Sequence, residues 1–282
     1  MRLVVASGKG GTGKTTVAAN LAHALTRSRE VVTVDCDVEA PNLHLFFPSP
    51  SREVPVRTPV PAVDRDRCTL CGACGHFCRF GAISVLRSEV FLFPELCHGC
   101  GGCGYVCPEG AIRDDHRTIG SVRCSRPAPS LTLIGGALNE GEVQAPAVVR
   151  HAKRLAAGAP LIIYDAPPGI GCTVIETLKG VDACLLVTES TPFGVHDLAL
   201  AAAVVRQFGL PTGVVINRSD GEDGETRRAC RELELPVLMT IPFDREIAAV
   251  QNRGGLISRE YEGWNRRFST LFEDVCRVGG ET

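Results

Sequence analysis

Lysine is nearly missing from this chain: Lys9, Lys14, Lys153 and Lys179 are the only four, against 26 arginines. Two of the four share one glycine-rich loop, where a compact ammonium does work that a broad guanidinium cannot take over. Basic residues nowhere cluster densely enough to track a phosphate backbone, and the formal net charge is −2. General nucleic-acid binding is therefore excluded. No apolar run approaches the roughly 20 residues that span a bilayer. Met1 leads directly into the apolar strand Arg2–Ala6 with no hydrophobic leader before it, so a cytoplasmic protein is expected. Cysteine, by contrast, is abundant, with fourteen residues. In a reducing compartment that number points to metal ligation and not to a disulfide framework.

Eight of the fourteen fall into two runs of identical spacing, Cys68-x2-Cys71-x2-Cys74-x3-Cys78 and Cys97-x2-Cys100-x2-Cys103-x3-Cys107-Pro108. An offset of 29 residues superposes all eight, and also Gly72 on Gly101, Gly75 on Gly104 and Gly81-Ala82-Ile83 on Gly110-Ala111-Ile112. Such self-similarity indicates two pseudo-symmetric halves. This is the bacterial ferredoxin run, in which each cluster takes three cysteines from one run and the fourth from the other. Two [4Fe–4S] clusters are expected, one on Cys68, Cys71, Cys74 and Cys107, the other on Cys97, Cys100, Cys103 and Cys78. Zinc is the competing reading, but zinc sites usually pair C-x2-C units across a longer spacer. The first run departs from the pattern, since Cys78 is followed by Arg79 and not by proline. His76 and His98 lie among the ligands and read as ordinary surface histidines. Seven acidic residues against six arginines between 64 and 117 leave the module near neutral, without the charge that steers a partner from a distance.

Around this module the chain alternates short apolar runs with helical patterns. Strands are expected at 2–6, 31–34, 131–134, 161–164, 184–187, 212–216 and 237–241, with helices at 144–157, 194–208, 223–234 and 244–252. That is the pattern of an α/β fold with a mostly parallel sheet wrapped by helices. The expected organisation is an α/β domain at 1–47, a proline-rich extended linker at 48–63, a small α+β insert at 64–117, and the rest of the α/β domain at 118–282. Gly8-Lys9-Gly10-Gly11-Thr12-Gly13-Lys14-Thr15 satisfies G-x4-G-K-[ST] between a strand and a helix. Its backbone N–H groups would cradle phosphates, Lys14 would reach the β/γ-phosphates and Thr15 would ligate Mg²⁺. Asp35, Asp37 and Asp165 end buried strands, where a Mg²⁺–water contact belongs.

Lys9-Gly-Gly-x-Gly-Lys14-Thr15-Thr16 resembles the deviant Walker A loop of the MinD/ParA/Mrp/nitrogenase-iron-protein superfamily, and the resemblance covers both flanks of the insert. The whole arrangement is similar to MinD-like P-loop ATPases with an inserted ferredoxin domain, relatives of the Mrp-type cluster carriers. It implies that Lys9 crosses a dimer interface to the partner's nucleotide, in a homodimer or a dimer with a paralogue. It also implies that Asp37 positions the attacking water, that Asp35 and Asp165 support Mg²⁺, and that Asn217 and Arg218 read adenine. Cys172 lies seven positions after Asp165, the offset at which the nitrogenase iron protein ligates a cluster shared between subunits. Cys124 is the one loop cysteine that could join it, while Cys36, Cys184, Cys230 and Cys276 read as core. The carriers' transferable cluster sits on a C-x2-C pair in the ATPase half, and this chain has none there.

Three functions follow from these residues. One is an ATPase for assembly or carriage of a metal cluster, handing it to an acceptor protein. Another is an ATP-gated electron donor to a redox partner. The third is a MinD-like positioning switch. The last needs a basic amphipathic C-terminal helix, whereas the stripe Trp264, Phe268, Leu271, Phe272 and Val275 has no lysine beside it. Membrane binding is accordingly not expected.

Overall fold

A computed structural model describes residues Met1–Gly280. In chain order it contains β1 (Arg2–Ala6), α1 (Lys14–Leu25), β2 (Val31–Asp35), β3 (Ser51–Val63), α2 (Ala73–Phe77), β4 (Ile83–Val85), β5 (Val90–Leu92), α3 (Gly102–Tyr105), β6 (Ile112–Ala128), β7 (Leu131–Leu138), α4 (Ala145–Ala156) and β8 (Ile162–Asp165). It continues with α5 (Cys172–Leu178), β9 (Ala183–Glu189), α6 (Pro192–Gln207), β10 (Thr212–Ser219), α7 (Gly224–Glu232), β11 (Val237–Pro242), α8 (Arg245–Asn252), α9 (Ile257–Glu260) and α10 (Glu262–Val278). Nine strands form one sheet in the order β11-β10-β9-β1-β8-β2-β7-β6-β3.

The central pairings, β11 through β7, are parallel. Strands covered on both faces need apolar side chains throughout, and Leu3, Val4 and Val5 of β1 are fully buried. β6 and β7 are joined by two residues, a connection open only to antiparallel neighbours. The chain divides into two compact units, one of Met1–Glu53, Val122–Ala137 and Val149–Thr282, the other of Val54–Ser121 and Leu138–Val148.

In the first unit the apolar stripe of α10 is used up internally: Phe268, Leu271, Phe272 and Val275 lie in the main core with Leu21 and Leu25 of α1. Among the described residues no helix is long and apolar enough to cross a membrane.

Two sequence expectations need revision. The stretch 48–63 is not a linker for most of its length but the edge strand β3. Pro55, Pro59 and Pro61 share one parity, so the missing N–H groups all fall on the same edge of the strand, an arrangement that an edge strand tolerates. Val56, Thr58 and Val60, of the other parity, are buried. The cysteine unit also recruits a distant segment, 138–148. Asn139 N–H donates to Ile119 O at 3.0 Å, Arg117 pairs with Glu142, and the Thr58 hydroxyl donates to Gln144 Oε1 at 3.0 Å.

Candidate functional site

The phosphate loop runs from the end of β1 into α1. Gly13 caps the helix at φ 88°, and a side chain there would meet the Asn217 amide at 2.2 Å. At Gly8 a Cβ would fall 2.0 Å from the Asp197 carbonyl oxygen of α6. Both glycines are therefore demanded by close approach, and Gly13 by its left-handed backbone as well. Lys14 is buried and Thr12 almost wholly so. Gly10, Gly11, Thr15 and Thr16 line a cavity of about 630 Å³ together with Lys14, Asp37 and Pro168. Its far wall is Gln251–Gly254, at and just beyond the end of α8. That segment carries no motif, and nothing in its composition pointed to the site.

Asp165, at the end of β8, is fully buried, and neither of its oxygens has a hydrogen-bond partner. Burial, and then the nearby Asp35 carboxylate, push its pKa well above the usual carboxylate range. The neighbouring Thr15 hydroxyl, outside hydrogen-bonding geometry, and the Lys14 ammonium oppose that rise. A bare buried carboxylate beside a threonine hydroxyl and a lysine fits a divalent cation, which would supply the missing partner.

Asp35, at the end of β2, is held by the backbone that follows it. Its oxygens accept backbone N–H bonds from Asp37 at 3.1 Å and from Asn42 and Leu43 at 2.9 Å, so it anchors the loop after β2. Burial raises its pKa, and these N–H groups resist the rise. Asp37 lines the cavity; burial raises its pKa, with Lys14 pulling the other way. Asn217 makes a further contact at the end of β10. Its side-chain N–H donates to the Thr12 carbonyl at 2.8 Å, bracing the phosphate loop from β10. Arg218, in the left-handed region at φ 52°, pairs with Glu189 at 2.8 Å. Lys9 points to the same carboxylate at 3.6 Å.

In the cysteine unit the eight cysteines separate into two cradles. Cys68, Cys71, Cys74 and Cys107 line one; Cys78, Cys97, Cys100 and Cys103 line the other, a cavity of about 340 Å³. These are the two quartets expected from the crossed ligand pattern. Each cradle is entered through matched left-handed glycines, Gly72 at φ 81° and Gly101 at φ 69°, which cap α2 and α3. Backbone N–H groups of Gly99 and Ala111 lie 3.4 and 3.3 Å from the sulfurs of Cys97 and Cys107. None of the fourteen cysteines is in a disulfide. Among the described residues no three His, Cys, Asp or Glu gather as tightly as a single ion requires. A four-iron cube holds its thiolates farther apart than one ion does, and a concave quartet with N–H groups aimed at sulfur fits that larger group.

Gln144 escaped the sequence reading. Its side-chain N–H donates to the Cys97 carbonyl at 2.5 Å, tying the 138–148 segment to a cradle residue. His98 is exposed and stacks on Phe80 with ring centroids 3.8 Å apart.

Cys172 is exposed at the first residue of α5. Cys124 is not on a loop but within β6, partly buried, and burial raises its thiol pKa. Cys36, Cys184 and Cys230 are buried, as expected of packing cysteines; Cys276 is half-buried against the core.

With this geometry in place, comparison with known proteins assigns the class. Residues 3–257 match the CobQ/CobB/MinD/ParA nucleotide-binding domain family, and the chain belongs to it: it is a P-loop ATPase. The uncharacterized proteins MJ0578 and MJ0579 of Methanocaldococcus jannaschii are 33% identical over 88% of this chain (86% of theirs) and 30% identical over 90% (90% of theirs). In fold it is similar to the septum site-determining protein MinD complexed with Mg-ADP from Pyrococcus horikoshii. That likeness has TM-score 0.59 and 22% identity, covering 99% of this chain and 97% of the other. Cyanothece McdA gives 0.58 and 20% over 96% and 98%.

Proposed function

We propose that this chain is a Mg-ATP-hydrolysing iron–sulfur protein that works as a dimer and assembles or carries a metal cluster, with nucleotide state governing a site at the dimer interface. The observation that carries the reading is the sorting of eight cysteines into two crossed quartets within the same chain as a phosphate loop. Lys14 would hold the β/γ-phosphates, and Thr15 with Asp165 would hold Mg²⁺, which when bound would supply positive charge to offset that of the transferring phosphoryl group. Asp37 orients water, and Lys9 adds a cation to the partner's phosphates, where preorganised charge stabilises the transition state. Cys172, seven residues beyond Asp165 and exposed, is the interface ligand. A protein acceptor receives the cluster.

A second reading, an ATP-gated electron donor, draws on a specific observation. Both quartets are provided with N–H···S contacts, the setting of resident relay centres more than of cargo.

Anaerobic reconstitution followed by iron and sulfide analysis and an EPR-monitored redox titration, with and without a non-hydrolysable Mg-ATP analogue, tests both. The expected result is two four-iron clusters per chain that survive Cys172→Ser, and hydrolysis abolished by Lys14→Ala. Loss of cradle iron in Cys172→Ser would overturn the ligand sets. A nucleotide-dependent shift of about 59 mV or more, roughly 1.4 kcal/mol for a one-electron couple, would move the conclusion to the electron donor.

A further inference from the structure

Glu189 ends β9 at the mouth of the phosphate loop, and its side chain is only 14% exposed. One carboxylate oxygen faces the Lys9 ammonium at 3.6 Å, too long for a hydrogen bond but close for an ion pair. The other accepts from the Arg218 guanidinium at 2.8 Å. Three elements thus converge on one carboxylate: the phosphate loop, the end of β9 and the end of β10.

The surroundings hold Lys9 there. The Ser7 hydroxyl donates to the Lys9 carbonyl at 2.6 Å. Gly8 packs against the α6 backbone too closely for any side chain. On the opposite side, Arg218 keeps a left-handed backbone that a non-glycine residue adopts only at a cost. Its guanidinium is thereby aimed at Glu189.

We infer that Glu189 is a positioning residue of the ATPase: it latches Lys9 within its own subunit, and Arg218 is the counter-ion that remains when Lys9 leaves. This rests on the proposed action of Lys9 in trans. A mostly buried carboxylate stripped of its only cation would be strongly disfavoured. With two cations bound, Glu189 loses one and keeps the other, so Lys9 can be drawn away by a partner's phosphates. The strength of the latch sets how much protein is needed to form the nucleotide-bound dimer.

With four lysines in the chain, acylation followed by peptide mass spectrometry reads Lys9 individually. In nucleotide-free protein, Glu189→Gln is expected to raise the Lys9 acylation rate, and Arg218→Ala to lower it, each by about three- to tenfold. In sedimentation with a non-hydrolysable Mg-ATP analogue, Glu189→Gln should dimerise at a protein concentration lower by the same factor. Arg218→Ala should need more protein, and the double variant should follow Glu189→Gln. Melting temperatures near that of the parent exclude misfolding. Where Glu189→Gln misfolds, the reading passes to Arg218→Ala, whose unchanged Lys9 rate would overturn the latch.

Unchanged Lys9 acylation in a folded Glu189→Gln protein overturns the latch, and the trans reading survives if Lys9→Ala still blocks the dimer. Faster acylation with an unmoved dimerisation threshold overturns the claim that the latch sets that threshold. A parent protein that stays monomeric with the analogue overturns the trans reading and, with it, the claim that the latch sets a dimerisation threshold.

Discussion

The ATPase unit buries large side chains in one continuous core, from Leu3 and Val5 in β1 through Leu185 in β9 to Phe268 and Phe272 in α10. The cysteine unit hides mostly small or few groups, among them Val56, Val60, Ala82, Ile83, Ala111 and Ile119. It leaves Phe77, Phe80, Phe91, Phe93 and Leu96 more than two-fifths exposed and Tyr105 almost fully so. Burial of apolar surface contributes about 25 cal/mol per Å², so the first unit can be held by packing alone. The second buries far less, and on the proposed iron–sulfur reading metal supplies the cohesion that packing does not. That reading puts two kinds of cohesion in one chain, and they should respond to different perturbations.

The largest separation is expected from metal removal. On the proposed iron–sulfur reading, stripping iron anaerobically with a chelator should abolish amide-exchange protection in α2, α3 and the first half of β6, while α1 and α10 stay protected. Mg-ATP binding should persist, because the cavity holding Lys14 and Asp37 is built from the first unit only. Protection that survives throughout the cysteine unit would show that its small core suffices.

A smaller effect compares the two halves of the cysteine unit. Leu70 and Gly99 are pseudo-equivalent and both left-handed, at φ 56° and 65°. A Cβ on Gly99 would lie 2.9 Å from the Thr58 hydroxyl and 3.0 Å from the Pro59 carbonyl. Gly99→Ala should therefore destabilise the unit by about 2 kcal/mol, through strain and clash together. Leu70→Gly should change it by less than about 0.5 kcal/mol, since relief of the left-handed penalty is offset by added unfolded-state freedom. Chelator concentration at half-loss of cluster absorbance measures both. Equal effects would mean that the halves are equivalent in packing as well as in sequence.

The regular parts of this fold were legible because period and motif coincide. Buried parallel strands are unbroken apolar runs, and every run identified in the ATPase portion is a strand within a few residues. The grouping of the eight cysteines around two cavities was anticipated by their repeated spacing, which places Cys68, Cys71, Cys74 and Cys107 at one and Cys78, Cys97, Cys100 and Cys103 at the other. What stayed hidden depends on contacts distant in sequence. Proline content disguised β3, although its prolines share the parity an edge strand permits. Gln144 meets Cys97 across 47 positions, and nothing local marks it. The bracing contacts of Asp35 and Asn217 are likewise unmarked in the sequence: three backbone N–H donors for one, the Thr12 carbonyl for the other. A motif assigns a residue to a neighbourhood, and only the surrounding donors and acceptors decide its task.

The smallest expected effect belongs to the ATPase unit alone. His23 of α1 lies 3.0 Å from the Ser258 hydroxyl. Burial, then Arg259 and Arg27, hold its pKa down to about 4. Between about pH 4 and 6.5 the unfolded chain binds a proton that the folded unit refuses, so stability is full above pH 6.5 and declines as the pH falls toward 4. Because the ring is partly exposed, solvent screening limits the loss to about 1 kcal/mol. Trp264, the single tryptophan, sits on α10 in this unit, so its fluorescence in urea reports the ATPase core without the cysteine unit. Midpoints at pH 7 and pH 4.5 should differ more for the parent than for His23→Gln. An equal acid shift in both proteins would place the sensitivity elsewhere in the ATPase unit.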